Sequence, residues 1–342
     1  MPLRLYRSRV KPENAGEFLI IASIPMAQQA NHALPPGFQL GEYRIEHQLS
    51  LGGFSIVYLA TDEQDRLVAI KEYLPNSLAL RAEGEIKPQI SEEHLPAFRY
   101  GMKCFFEEGR ALARLSHPNV IRVLNFFRAN DTVYMVMEYE QGRTLQEFIQ
   151  KNRNVITENF MRNVFTKVLN GLREVHSNKL LHLDIKPSNI YMRNDYAPVL
   201  IDFGAARQTL ASDTPMLKPM YTPGFASPEH YQQRELLGPW SDIYSIGACM
   251  YACLSAGSPQ AADQRMEKDR LLMAMARWEG AYSDQLLETI DWCLHLNHLE
   301  RPQSAFSLQK ALTAEVRKPR SPSKQSWLER MITSVKDKVK PP

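Results

Sequence analysis

The sequence predicts an α+β protein of two lobes: a strand-rich lobe over residues 38–139 and a helix-rich lobe over 142–315. Three observations carry that prediction. Alternating apolar and polar residues with Gly and Asp turn signals run from Tyr43 to Tyr139, interrupted by one long helical stretch. Beyond Gly142 the apolar period becomes mainly helical. The length, 342 residues, suits one large two-lobed domain or two ordinary ones.

Residues 1–37 match no fold pattern and are expected to be an extension, disordered in part or untranslated in part. Phe18–Ala27 is apolar and follows Arg4, Arg7, Arg9 and Lys11, as in a secretory leader, but Glu13, Glu17 and Pro25 interrupt that pattern. A start at Met26 is the alternative. The first lobe begins with Tyr43–Glu46, a Gly-Gly turn, Ile56–Ala60, a turn at Asp62–Asp65, and Leu67–Glu72. Ala97–Leu115 reads as an amphipathic helix stopped before Pro118. Strands are expected at Val120–Phe127 and Thr132–Tyr139. Helices are expected at Thr144–Lys151, Thr157–Asn178, Ser241–Ala256, Arg270–Trp278, Ser283–Leu294 and Ser304–Val316.

Hydrophobic residues make up 44% of the chain, as in globular proteins. The four cysteines lack metal or disulfide spacing, and Cys249 and Cys253 sit i, i+4 in an apolar run, as expected of helix core. No apolar run is long enough to span a membrane. The formal charge of +3 hides an asymmetry. Residues 316–342 hold eight Lys or Arg and two acids, which leaves the remainder slightly acidic. Nucleic acid is therefore not an expected partner; the unpaired cysteines suit a reducing cytosol, so a cytoplasmic location is expected. In the tail, Trp327, Leu328, Met331, Ile332, Val335 and Val339 follow helical spacing opposite basic residues. Weak contact through 327–339 with a partner, with the body of the chain or with the inner membrane periphery stays open, as does a frayed solvated tail.

The most specific stretch is HLDIKPSNIYMRNDYAPVLIDFG, residues 182–204. It sets Asp184, Lys186, Asn189 and Asp202 on two turns flanking a short hairpin. Phosphoryl transfer from ATP needs such a set: a carboxylate to orient the attacking hydroxyl, a cation at the moving phosphoryl group, and an amide oxygen and second carboxylate for magnesium. Upstream, a Gly loop (LSLGGFSIVY, 49–58) and the strand VAIK (68–71) follow one another. Small residues let backbone N–H groups approach phosphate oxygens.

Together these motifs resemble the eukaryotic-like, bacterial Ser/Thr protein kinase family, over about residues 43–315, and imply its bilobal fold. The resemblance implies ATP with Mg²⁺, or Mn²⁺ in its place, and Ser/Thr hydroxyls of proteins as acceptors. Asp184 and Lys186 would be catalytic, and Asn189 and Asp202 would hold the metal. Leu49, Ser50, Gly52, Gly53, Phe54 and Ser55 would cover the nucleotide. Val57 and Ala69 would roof the adenine, with Tyr191 beneath it. Lys71 would reach the α- and β-phosphates, aligned by Glu108. Met137 would be the gatekeeper, with the backbone of Glu138 and Glu140 at the adenine edge. Thr222, in a peptide-docking turn, would bond Asp184 or Lys186. Glu229 would pair with Arg301, and Asp242 would bond the catalytic loop from an N-cap region. A partner phosphatase is implied by family analogy.

The chain departs from the family pattern in four places. Ser50 and Ser55 replace the first and third loop glycines. The interval from Lys71 to Glu108 is long, and Tyr73–Leu95 looks like an insertion of a bacterial subset. Tyr191 stands where an aliphatic floor is usual. Leu183 replaces an arginine that usually receives an activation-segment phosphate, so control through Thr209, Ser212 or Thr214 would need Arg207 or Lys218 instead. The rival readings are a nucleotide-binding pseudokinase or scaffold, favoured by the altered loop, and a small-molecule kinase of the same fold.

Overall fold

The computed structural model describes residues 31–203 and 221–314. The leader and the start at Met26, the sites Arg207, Thr209, Ser212, Thr214 and Lys218, and the amphipathic tail lie outside the described residues.

In the first lobe the strands are β1 Gln39–Leu40, β2 Tyr43–Leu51, β3 Ser55–Thr61, β4 Leu67–Tyr73, β5 Val123–Ala129 and β6 Thr132–Glu138. They form one antiparallel sheet in the order β1-β2-β3-β4-β6-β5. Strand alternation decides the faces. On β3, Ile56, Tyr58 and Ala60 are fully buried while Val57 and Leu59 are half-buried. The turn into β4 is built by Asp62, whose Oδ1 accepts the N–H groups of Gln64 and Arg66.

One helix, α1 (Leu95–Leu112), packs on the face that carries Lys71. It ends earlier than the expected Leu115, because Arg114 and Leu115 bond three residues back and tighten the last turn. Where α1 meets β4, Gly101 leaves room for Tyr73: a Cβ there would lie 1.9 Å from the Tyr73 hydroxyl oxygen.

The other face of the sheet is covered by chain that the sequence left unassigned. Residues 31–37, expected to belong to an extension, pack onto it, with Asn31 and Leu34 buried. His32 N–H donates to Arg81 O and Leu34 N–H to the Tyr58 hydroxyl. The expected boundary at residue 38 therefore moves back to at least residue 31. Arg81, from the inserted segment, lies fully buried on that face as a two-pronged partner of Glu72, 2.7 Å on each prong.

The second lobe begins with β7 (Gly142–Thr144), α2 (Leu145–Lys151) and α3 (Glu158–Ser177). Thr144 and Glu147 form a reciprocal capping box on α2, and Thr157 caps α3. The hairpin β8 (Ile190–Arg193) and β9 (Pro198–Leu200) completes a small sheet with β7. Backbone bonds Ile121 N–H to Leu200 O and Leu200 N–H to Asn119 O, each 2.9 Å, tie this hairpin to the chain entering β5.

The helices that follow are α4 (Pro228–Tyr231), α5 (Pro239–Ser255), α6 (Ala262–Glu267), α7 (Ala274–Trp278), α8 (Asp284–Cys293) and α9 (Ala305–Thr313). Helix α5 is buried all round from Ser241 to Leu254, the mark of a central helix, and takes Cys249 and Cys253 into the core as expected. Two helical expectations are corrected. The segment expected from Arg270 is helical only from Ala274, because the Asp291 carboxylate accepts the N–H groups of Ala274 and Met275 and sets the helix start there. Helix α6 was not expected at all; buried Arg265 anchors it through Asp269, the Tyr244 hydroxyl and Leu294 O. Among the described residues, no helix is long and apolar enough to cross a membrane.

Candidate active site

The loop between α3 and β8 is shaped from beneath by Asp242. This residue lies in the first turn of α5, whose N-cap is Gly238, so Asp242 serves the loop rather than its own helix end. Its carboxylate accepts His182 N–H at 2.9 Å and Leu183 N–H at 2.7 Å, and meets His176 Nε2 at 2.8 Å. Burial alone would raise this carboxyl; the bond and charge of His176, with those of His182, outweigh it and hold Asp242 below its ordinary value. Leu183 takes a left-handed backbone, φ 59°, uncommon for a branched residue. Both sides of it are secured, since His230 Nε2 bonds Leu183 O at 3.2 Å. Ser227 Oγ lies 2.8 Å from His230 Nδ1. Burial lowers the His230 pKa, so the imidazole is neutral, with Nε2–H donating to Leu183 O and Nδ1 accepting from Ser227.

This scaffold brings together the four residues of the 182–204 motif. Lys186 Nζ lies 2.9 Å from Asp184 Oδ2 and 3.0 Å from Thr222 Oγ1, and Thr222 donates to Asp184 Oδ1 at 3.1 Å. Thr222 therefore bonds both residues, where the sequence expected one or the other. Asn189 Nδ2 donates to Asp184 O at 2.9 Å and Asp184 Oδ2 at 3.0 Å, which leaves its amide oxygen to face other groups. From the first lobe, Lys71 reaches across to Asp202 Oδ1 at 2.7 Å. The lysine side chain is 4% exposed and the aspartate 41%, so the aspartate remains open to the cleft. Asp202 also has a left-handed φ, 57°, at the point where the chain leaves β9. Next to it, Phe203 stacks on His182, ring centroids 4.4 Å apart.

A cavity of about 230 Å³ is lined by Gly52, Gly53, Phe54, Ser55, Lys71, Asp184, Lys186, Asn189, Asp202, Phe203, Tyr221 and Thr222. The residues expected around an adenine lie outside this lining. Val57 pairs with Ser50 and Lys71, and Ala69 with Met137, so these side chains share neighbouring strands beside the cavity. Leu49 is exposed on β2, Glu138 ends β6, and Tyr191 pairs with Thr144 and Val199 in the small sheet. The Glu140 side chain is engaged by Arg193 through two short bonds, 2.7 and 2.5 Å. On α1, Glu108 is buried and Glu107 exposed. The ion pair of Lys71 is made with Asp202 rather than with Glu108.

Glu229 and Arg301 form a buried two-pronged pair at 2.9 and 3.0 Å. Burial would raise the Glu229 carboxyl; the bonds and charge of Arg301 reverse this and hold it below its ordinary value.

Comparison with known proteins places the chain in a family. The family model described as "Protein kinase domain" matches residues 43–313. The chain belongs to the protein kinase domain family. A solved structure titled "PpkA-294 apo form" aligns at 34% identity and a TM-score of 0.75, over 82% of this chain and 99% of that one. Serine/threonine-protein kinase B of Synechocystis sp. is 30% identical over 80% of this chain and 46% of its own length. Human Serine/threonine-protein kinase Nek2 is 32% identical over 61% of this chain and 49% of its own. This chain thus spans about half the length of the curated relatives it matches. The resemblance to eukaryotic-like bacterial Ser/Thr kinases is borne out, and so is the bilobal fold.

Three residues of this kinase domain have no role of their own in the sequence reading. Phe203 and Tyr221 line the cavity, and each adjoins a motif residue that drew the attention instead. Arg81 closes the run YLPNSLALR (73–81), which the sequence marks as a bacterial insertion without giving the arginine a role.

Proposed function

We propose that this kinase domain transfers the γ-phosphate of ATP, with Mg²⁺, to Ser or Thr hydroxyls of proteins. The observation that carries the reading is the Asp184–Lys186–Thr222 cluster facing Asn189, Asp202 and Lys71 across one cleft. The donor set fits magnesium. Asn189 and Asp202 offer hard oxygens, one from an amide and one from a carboxylate open to the cleft. That combination suits an ion whose remaining positions are filled by phosphates and water. When bound, the magnesium nucleotide supplies the phosphoryl group and neutralises charge developing on it.

The chain's own groups do the positioning. Asp184 accepts the hydrogen bond of the incoming hydroxyl and aims its oxygen. Lys186 holds Asp184 on one side and offers positive charge to the transferring group on the other. Thr222 locks both side chains to the segment expected to dock the peptide, a linkage that favours protein acceptors over small molecules. Lys71, held here by Asp202 and not by Glu108, takes the α- and β-phosphates. The strand face bearing Val57 and Ala69, with Tyr191 beneath, takes the adenine, Met137 guards its rear, and the backbone of Glu138 and Glu140 meets its edge. The complete Lys71–Asp184–Asn189–Asp202 set argues against a pseudokinase. Residues 31–314 act as the catalytic unit in the cytoplasm. The tail at 316–342 is left to weak partner or membrane contacts.

The test is transfer of radiolabelled phosphate from ATP to a generic basic protein. Wild-type protein transfers label, and Asp184→Ala reduces the rate by about three orders of magnitude with an unchanged melting temperature. Equal labelling by both proteins would refute the assignment.

A further inference from the structure

The phosphate loop is bonded from below by the inserted segment. Leu74 N–H donates to Phe54 O and Asn76 N–H to Gly53 O, each at 2.9 Å. These two bonds extend the β3–β4 ladder past its last regular pair, Ser55 opposite Tyr73. The segment that supplies them is itself clamped. Asn76 Oδ1 accepts from Asn31 Nδ2 at 2.7 Å, and the same Nδ2 lies 3.3 Å from Leu74 O and 3.2 Å from Ala79 O. At its other end, Asn31 Oδ1 accepts Arg81 N–H at 2.5 Å.

Arg81 carries this clamp to the strand that bears Lys71. Its guanidinium grips Glu72, the Tyr58 hydroxyl at 2.8 Å and His32 O at 2.8 Å, while Glu72 also accepts from Tyr58 and Tyr134. Glu72 and Lys71 are successive residues on β4 and point to opposite faces of the sheet. One buried polar cluster therefore fixes both the strand of Lys71 and the underside of the loop.

We infer that Asn31 and Asn76 are positioning residues that hold Gly53 and Phe54 at a set height over the terminal phosphates of ATP. The inference rests on the proposed function above. At Gly53 no steric contact fixes the loop: a Cβ there would meet nothing within 4 Å. Hydrogen bonds hold it, and they order it before nucleotide arrives, which lowers the entropic cost of closing over phosphate. A loop carrying Ser50 and Ser55 in place of two glycines is compatible with this, because its conformation is set by the clamp and need not be sampled.

The test compares ATP with adenosine, which lacks the phosphates that the loop would cover. Asn76 is half-buried, so Asn76→Ala is expected to fold; Asn76→Asp keeps the accepting oxygen. By calorimetry, Asn76→Ala weakens ATP binding about 3- to 10-fold, as expected for the loss of one positioning hydrogen bond. Adenosine affinity stays within about twofold, and Asn76→Asp restores ATP affinity to within about twofold. Asn31→Ala, if folded by its melting curve, gives the same selective loss. Equal weakening of ATP and adenosine, or no change in either, would overturn the inference. Wild-type protein that binds no ATP would instead remove the functional reading beneath it, and that is read before any variant is made.

Discussion

Thr222 Oγ1 donates to Asp184 Oδ1 at 3.1 Å while accepting from Lys186. This one hydroxyl ties the segment after residue 220 to the group that would orient the acceptor. Thr222→Val keeps the shape and removes the bond. It is expected to lower kcat about 10- to 100-fold, because a small misplacement of a reacting group is costly. Thr222→Ser should retain most activity. Steady-state kinetics on a peptide substrate, with the two variants side by side, check this; a Val variant as active as Ser would remove the role.

Lys71 holds Asp202 at 2.7 Å from the opposite lobe. Lys71→Met should abolish the rise in melting temperature that ATP with magnesium gives the wild type, since ligand stabilisation scales with affinity. Phosphate transfer should fall by at least about two orders of magnitude. The melting temperature without nucleotide should move little, because the aspartate is open to solvent. Differential scanning fluorimetry with and without nucleotide reads both.

The Glu229–Arg301 pair predicts a pH-dependent cost of mutation. Arg301→Met leaves a buried carboxylate without its cation, with the Ser241 hydroxyl still donating to it, and should cost about 3–5 kcal/mol at pH 7. The folded-state pKa of Glu229 lies below its ordinary 4.5, so its contribution is full above that value and fades as pH falls through the folded pKa. The gap between wild type and Arg301→Met should therefore shrink below about pH 4.5. Urea melts at a series of pH values test it, and a gap that widens on acidification would contradict the assignment.

Burial depresses the pKa of both His182 and His230. The unfolded chain then binds protons that the folded chain refuses. Stability is complete above about 6.5, the ordinary histidine value, and declines as pH falls toward the folded pKa. Each histidine contributes a slope of at most about 1.4 kcal/mol per pH unit in that range. His230→Gln should flatten the wild-type decline between pH 6.5 and 5, even where it lowers stability overall. An unchanged slope would mean that His230 is already protonated in the fold.

Much of this protein was legible in its sequence, for reasons that differ by element. The strands from Tyr43 to Glu138 and the long helices announce themselves by period, because one face of each is buried. Asp184, Lys186, Asn189 and Asp202 fall within 19 consecutive positions, so their spacing reports their geometry directly. Helix α6 and the true start of α7 were hidden, because Arg265 and Asp291 act on them through partners distant in sequence. The packing of residues 31–37 was hidden for the same reason.

Sequence alone determined the two lobes, the family resemblance and the identity of the residues that would handle phosphate and metal, because local periodicity and close spacing encode them. Tertiary structure decided that Thr222 bonds both Asp184 and Lys186, that Lys71 pairs with Asp202, and that Asn31 clamps Asn76 and Arg81 behind Gly53 and Phe54. Those contacts join residues between 36 and 131 positions apart, apart from the nearer links to Gly53 and Phe54, and each depends on which faces the packed lobes turn toward one another. No local pattern records that choice; it follows from burying the sheet, α1 and α5 together.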